Sequence, residues 1–111
     1  MAKPDTLGEF EQSALLAIAH LDDNAYGVTI RREIEHRTGR SVSVGALYTA
    51  LDRLERKGYT SSSMSDPTPE RGGRSKRHYV LRAAGMKALR EARARLDRMW
   101  AGLEANIKGR P

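Results

Sequence analysis

Cysteine is absent from the 111 residues, so disulfides, thiolate metal sites and cysteine nucleophiles are all excluded. The three histidines, His20, His36 and His78, fall on separate segments, and no paired carboxylates stand beside a nucleophile. Neither a metal site nor catalysis is expected, and no cofactor is implied. Long apolar runs are missing too. Nothing approaches the roughly 20 residues of a membrane span, and the start "MAKPDTLGEF" has no signal-peptide core. The expected location is the cytoplasm. Tryptophan occurs once, at Trp100.

Charge is what the chain has in quantity. A content of 31% charged and 39% hydrophobic residues over one domain's length suits a soluble, charge-rich helical protein. The net charge of +6 is unevenly placed: residues 1–39 carry four Lys/Arg against seven Asp/Glu, residues 40–111 sixteen against seven. Cations confined to one part of the chain suggest a polyanion-binding surface; the alternative is a basic protein with no such partner.

The apolar pattern divides the chain into elements. "TLGE" spaces Thr6 and Glu9 as a capping box for a first helix. Its apolar set, Phe10, Ala14, Leu15, Leu16, Ala17, Ile18 and Leu21, covers too much circumference for one partner, so it should pack on a second surface as well. "VTIRREIEHRT" makes a second helix with Ile30 and Ile34 inward and Gly39 as its stop. Ser43 caps a third, "VGALYTALDRLERK", with Val44, Leu47, Leu51 and Leu54 as core stripe and Gly58 at its end. "YTSSSM" is a weak strand and "RHYVL" a better one, with Tyr79 and Leu81 alternating against His78 and Val80. The loop between them, "SDPTPERGGRSK", holds two prolines and two glycines. A single long helix follows, stepping through Met86, Leu89, Ala92, Leu96, Trp100, Leu103 and Ile107 until "KGRP" breaks it. That seam is flanked by Arg90, Arg93, Arg95 and Arg98 and has no partner within so short a chain.

Three helices, a hairpin with a basic loop and a last helix make the order of a winged helix-turn-helix, mainly α with a two-stranded wing. Opposite the leucine stripe of the third helix lie Gly45, Ala46, Thr49, Asp52, Arg53 and Arg56. Small residues at its start suit insertion into a major groove about 12 Å wide. Thr49 can meet a thymine methyl or base edge, and Arg53 a phosphate or guanine; Arg56 is divided between that role and pairing with Asp52. Tyr48 sits at the stripe's border, where its hydroxyl can reach a phosphate. In the stretch "ERGGRSKRHYVLRAAG", Arg71, Arg74, Lys76, Arg77 and Arg82 can neutralise phosphates, and Gly72 and Gly73 permit close approach to the backbone. A sequence-nonspecific nucleoid-type or RNA-binding protein is the competing reading, and a protein-docking winged helix a further one.

"AYGVTIRREIEHRTGRSVSVGALYTALDRLERKGY" followed by "GGRSKRHYVL" resembles the PadR family of bacterial winged-helix regulators, over roughly residues 7–90. The resemblance implies a sequence-specific DNA-binding repressor, acting as a homodimer on a pseudo-palindromic operator. It implies a DNA-facing set of Ser43, Gly45, Tyr48, Thr49, Arg71, Arg74, Lys76 and Arg77, to which Tyr26, Ala46, Arg53 and Gly73 are added as candidates. It also implies a dimer formed by the last helix with help from the first; Phe10, Leu15, Ile18, Leu89, Leu96, Trp100, Leu103 and Ile107 are the candidate interface. Residues 1–82 would then be the DNA-binding domain and 83–111 a dimerisation helix of the short type. Two positions depart from the common pattern: Thr49 stands where many members have proline, and Arg82 where many have threonine. Some short members hold flat aromatic compounds between such tryptophans, so a small aromatic effector at Trp100 is the alternative to plain packing there.

Overall fold

The computed structural model describes residues 6–65, 75–103 and 109. Helix α1 (Glu9–Leu21) starts later than "TLGE" suggests. Gly8 is the N-cap, and its N–H donates to Glu11 Oε1 at 3.2 Å, so Glu11 takes the role expected of Glu9. A single 3-10 turn over Asp22–Asn24 leads to α2 (Gly27–Thr38). Gly39 ends α2 with φ 71°, a left-handed conformation that glycine adopts without steric cost. Helix α3 (Val44–Arg56) opens on Ser43, whose Oγ accepts the Ala46 N–H at 3.1 Å. It closes at Gly58, φ 80°, with the Tyr59 N–H donating back to the Leu54 carbonyl at 3.0 Å.

Strand β1 (Thr60–Met64) pairs antiparallel with β2 (Arg77–Leu81), placing Thr60 opposite Leu81 and Met64 opposite Arg77. A serine-rich β1 forms despite poor propensity because pairing puts Thr60 and Tyr79 into the core, 3% and 2% exposed. Burial pushes the Tyr79 hydroxyl pKa above its ordinary value. Residue 26 adds a one-residue bridge to His78, and the Tyr79 N–H donates to the Ala25 carbonyl at 2.8 Å. The start of α2 is thereby fastened to the wing.

Leu15, Ile18, Ile30, Leu47, Leu51 and Leu54 are the largest fully buried side chains and fill the space between α1, α2 and α3. Each contributes about 1.5–3 kcal/mol of transfer free energy. At the rim of this core, Lys57 Nζ lies 3.3 Å from Glu11 Oε2, both side chains largely buried, joining the end of α3 to the start of α1. Among the described residues no helix is long and apolar enough to cross a membrane.

Helix α4 (Ala83–Trp100) leaves this head. Gly85, Leu89 and Ala92 are buried against it, and every described residue after Ala92 is exposed. Three expectations need correction. Val44, expected in the core stripe, is 50% exposed because the first turn of α3 overhangs the core. Leu15 and Ile18, expected at a dimer interface, are 0% and 2% exposed, so their own chain leaves them no surface to give a partner. The last helix does not run unbroken towards Ile107: α4 stops at Trp100, Ala101 has extended ψ, and Gly102 turns the chain at φ 85°.

Gly85 is where α4 meets the wing. A Cβ there would stand 2.4 Å from the Tyr59 carbonyl oxygen, which also accepts the Arg82 N–H at 2.9 Å. Gly85→Ala should therefore lose about 1–3 kcal/mol, read as a lower urea midpoint with unchanged slope.

Candidate nucleic-acid interface

The turn between α2 and α3 is held by one ion pair. Arg31 Nε donates to the Val42 carbonyl at 2.9 Å, and Glu35 Oε2 accepts the Val42 N–H at 2.8 Å. The two side chains, four residues apart on α2, also pair with each other at 3.7 Å. Val42 is buried, so both of its backbone groups need partners, and α2 supplies them. This fixes where α3 begins relative to α2.

Beyond the turn, Tyr48 of α3 lies against Gly27 at the start of α2. A Cβ on Gly27 would come 2.0 Å from the Tyr48 hydroxyl oxygen, so only glycine leaves room for this ring. The neighbouring residue, Tyr26, turns the other way. Lys76 Nζ sits 4.4 Å from the centre of its ring, and the His78 ring meets it edge-on at 5.4 Å. Two consecutive residues thus touch α3 on one side and the base of the wing on the other. A second tie runs through Ser62, whose Oγ accepts from Arg77 Nη1 at 2.9 Å and donates to Glu55 Oε1 of α3 at 2.6 Å.

On this frame Ser43, Gly45, Ala46, Tyr48, Thr49 and Arg53 are exposed along α3, and Lys76 and Arg77 are exposed at the wing base. Tyr26 is half-buried beneath Lys76. Arg71, Gly73 and Arg74 lie outside the described residues, as does Ile107. Arg56 Nε donates to the Asp52 carbonyl oxygen at 3.4 Å, so its nearest contact to Asp52 is to the backbone. Of the expected dimer set, Leu96, Trp100 and Leu103 are 60%, 46% and 47% exposed, whereas Phe10 and Leu89 pack against the head's own core.

Apolar periodicity gave no sign of the clamp on Val42, because Arg31 and Glu35 occupy a polar face of α2. Their spacing of four with opposite charge was the available signal. Also missed was a groove of about 340 Å³ between α2 and the start of α3, lined by Gly27, Val28, Arg31, Arg32, Glu35, Val44, Leu47 and Tyr48. Elsewhere, Arg37 hydrogen-bonds Glu33 and holds its carboxyl below the usual range, at a partly exposed site. Among the described residues no three His, Asp or Glu gather as a metal site.

Residues 15–91 match the model of the transcriptional regulator PadR-like family. No curated protein matches the chain significantly. Among solved structures, RosR of H. salinarum is 28% identical, with a TM-score of 0.64 over 91% of this chain and 81% of its own. A PadR-like transcriptional regulator from Bacillus cereus is 17% identical, with a TM-score of 0.70 over 91% and 93%. A PadR family transcriptional regulator from Eggerthella lenta is 21% identical, with a TM-score of 0.66 over 92% and 88%. The last two likenesses speak to the winged-helix fold alone.

The contact of Tyr48 with Gly27 makes a coupled pair. Gly27→Ala should destabilise by about 1–3 kcal/mol in the native background and by much less in Tyr48→Ala, since the clash then has no ring to meet. Additive losses in urea unfolding would mean that the ring moves aside freely.

Proposed function

The chain belongs to the PadR-like family of transcriptional regulators, and from that premise we propose that it is a cytoplasmic homodimeric repressor reading a pseudo-palindromic operator. In this reading the exposed face of α3 enters the major groove, with Tyr48 and Thr49 near the bases and Arg53 at a phosphate. Lys76 and Arg77 take phosphates beside the groove. One observation carries the proposal: Tyr26 and Gly27 touch the wing base and Tyr48 together, so the part that would read bases and the part that would grip the backbone are held against the same two residues. A nonspecific polyanion binder needs no such registration.

The dimer is supported by hydrocarbon left exposed on α4 and on the turn that follows it. Leu96, Met99, Trp100 and Leu103 are 60%, 75%, 46% and 47% exposed. Beside them a groove of about 270 Å³ between α1 and α4 is lined by Leu7, Ala92, Leu96 and Met99 among others. So many large apolar side chains together mark an association surface. Trp100 is taken as packing against the partner helix, and residues 83–111 as the dimerisation segment.

Two experiments test these parts separately. Binding should weaken steeply with salt, and Lys76→Ala combined with Arg77→Ala should flatten the slope of log affinity against log salt by about one to two. An unchanged slope would take the wing base out of the interface. Sedimentation at micromolar concentration should give a dimer that Leu96→Asp converts to a folded monomer, since that change leaves the buried head untouched. A compact native monomer would reject the dimer.

A further inference from the structure

The first two turns of α3, from Val44 to Leu51, contain no Arg, Lys, Asn, Gln, Asp or Glu. Those are the side chains that supply the usual bidentate contacts to purines and the acceptors for cytosine, so the part of the helix nearest the groove floor cannot use them. The Ser43 hydroxyl is engaged as the cap of Ala46, and the Tyr48 hydroxyl lies against Gly27. Apart from the exposed Thr49, what these turns offer to the outside is hydrocarbon. Val44 is 50% exposed and Val28, on the first turn of α2, 48% exposed. Both line the same groove of about 340 Å³, together with Tyr48, Arg31 and Arg32. Arg31 is committed to Val42, whereas Arg32 is exposed and in no ion pair among the described residues.

Two exposed valines beside arginines suit a partner that is anionic yet carries a small apolar projection. In the major groove of a duplex the only such projection is the C5-methyl group of thymine, which distinguishes T·A without any hydrogen bond. Resting on the regulator reading above, we infer that Val44, backed by Val28, is a specificity-determining residue that recognises a thymine methyl in each operator half-site. Discrimination at that base pair then depends on one methyl group. Arg32 supplies the neighbouring positive charge.

The test begins with selection of bound duplexes from a random pool by the full-length protein. Each thymine of the selected sequence is then replaced singly by deoxyuridine, which removes only the methyl. One thymine per half-site should lose about fourfold in affinity, the effect of one buried methyl group. At that position 5-methylcytosine paired with guanine should bind better than cytosine paired with guanine. In Val44→Ala, a half-exposed position where alanine favours helix, the uracil penalty should vanish while the salt slope stays as in the native protein. If uracil is tolerated everywhere, or the penalty persists in Val44→Ala, the methyl reading is wrong although the regulator reading stands. If no sequence is enriched over competitor DNA, the operator-specific regulator reading itself fails, and this inference with it.

Discussion

Everything on the candidate interface depends on how α2 hands the chain to α3, and that is set by Arg31 and Glu35 on the two backbone groups of Val42. A buried residue in a turn between helices has an N–H and a C=O that no ladder satisfies, and leaving either unpaired costs about 1–3 kcal/mol. Here one oppositely charged pair from the preceding helix answers both. The position of Ser43 follows, hence the first turn of α3, hence the approach of Tyr48 to Gly27. Loosening the clamp would disturb a surface on the far side of α3 without touching any residue on it.

The wing is coupled to the same frame by short polar and aromatic contacts rather than by a large apolar area. Lys76 over Tyr26, His78 against the same ring, and Arg77 through Ser62 to Glu55 are each modest, at about 1 kcal/mol or less. Together with the Ala25–Tyr79 backbone bond they fix the base of the hairpin relative to α3. Cations that are held from below can meet a polyanion in register, at a lower ordering cost than cations on a free loop.

Helix α4 obeys a different constraint. Its first half is drawn into the head by Gly85 and Leu89, while its second half is left largely exposed by the described residues. The molecule's extents of 58 × 38 × 22 Å reflect this projecting arm. The head has its own closed core, so the arm can be changed at Leu96 with little consequence for the stability of the head.

The element order, the caps at Ser43, Gly39 and Gly58, and the alternation of Tyr79 with Val80 were all legible in the sequence. Each rests on local chemistry: a hydroxyl within reach of an N–H, a glycine where φ must be positive, a side-chain period of two. The uneven charge and the dense run of family-like segments likewise point to a DNA-binding regulator from the residues alone. Local rules failed where the neighbour came from elsewhere in the chain. Helix α1 is apolar on several faces, and periodicity could not say that Leu15 and Ile18 face the chain's own core while Leu16 faces out. Val44 obeys the spacing of the leucine stripe, but the core ends one turn below it. The contacts of Gly27 with Tyr48 and of Gly85 with Tyr59 join residues about 20 or more positions apart. Only the packing of whole helices decides which glycine must stay bare, because sequence spacing encodes a residue's own face and not what will be laid against it.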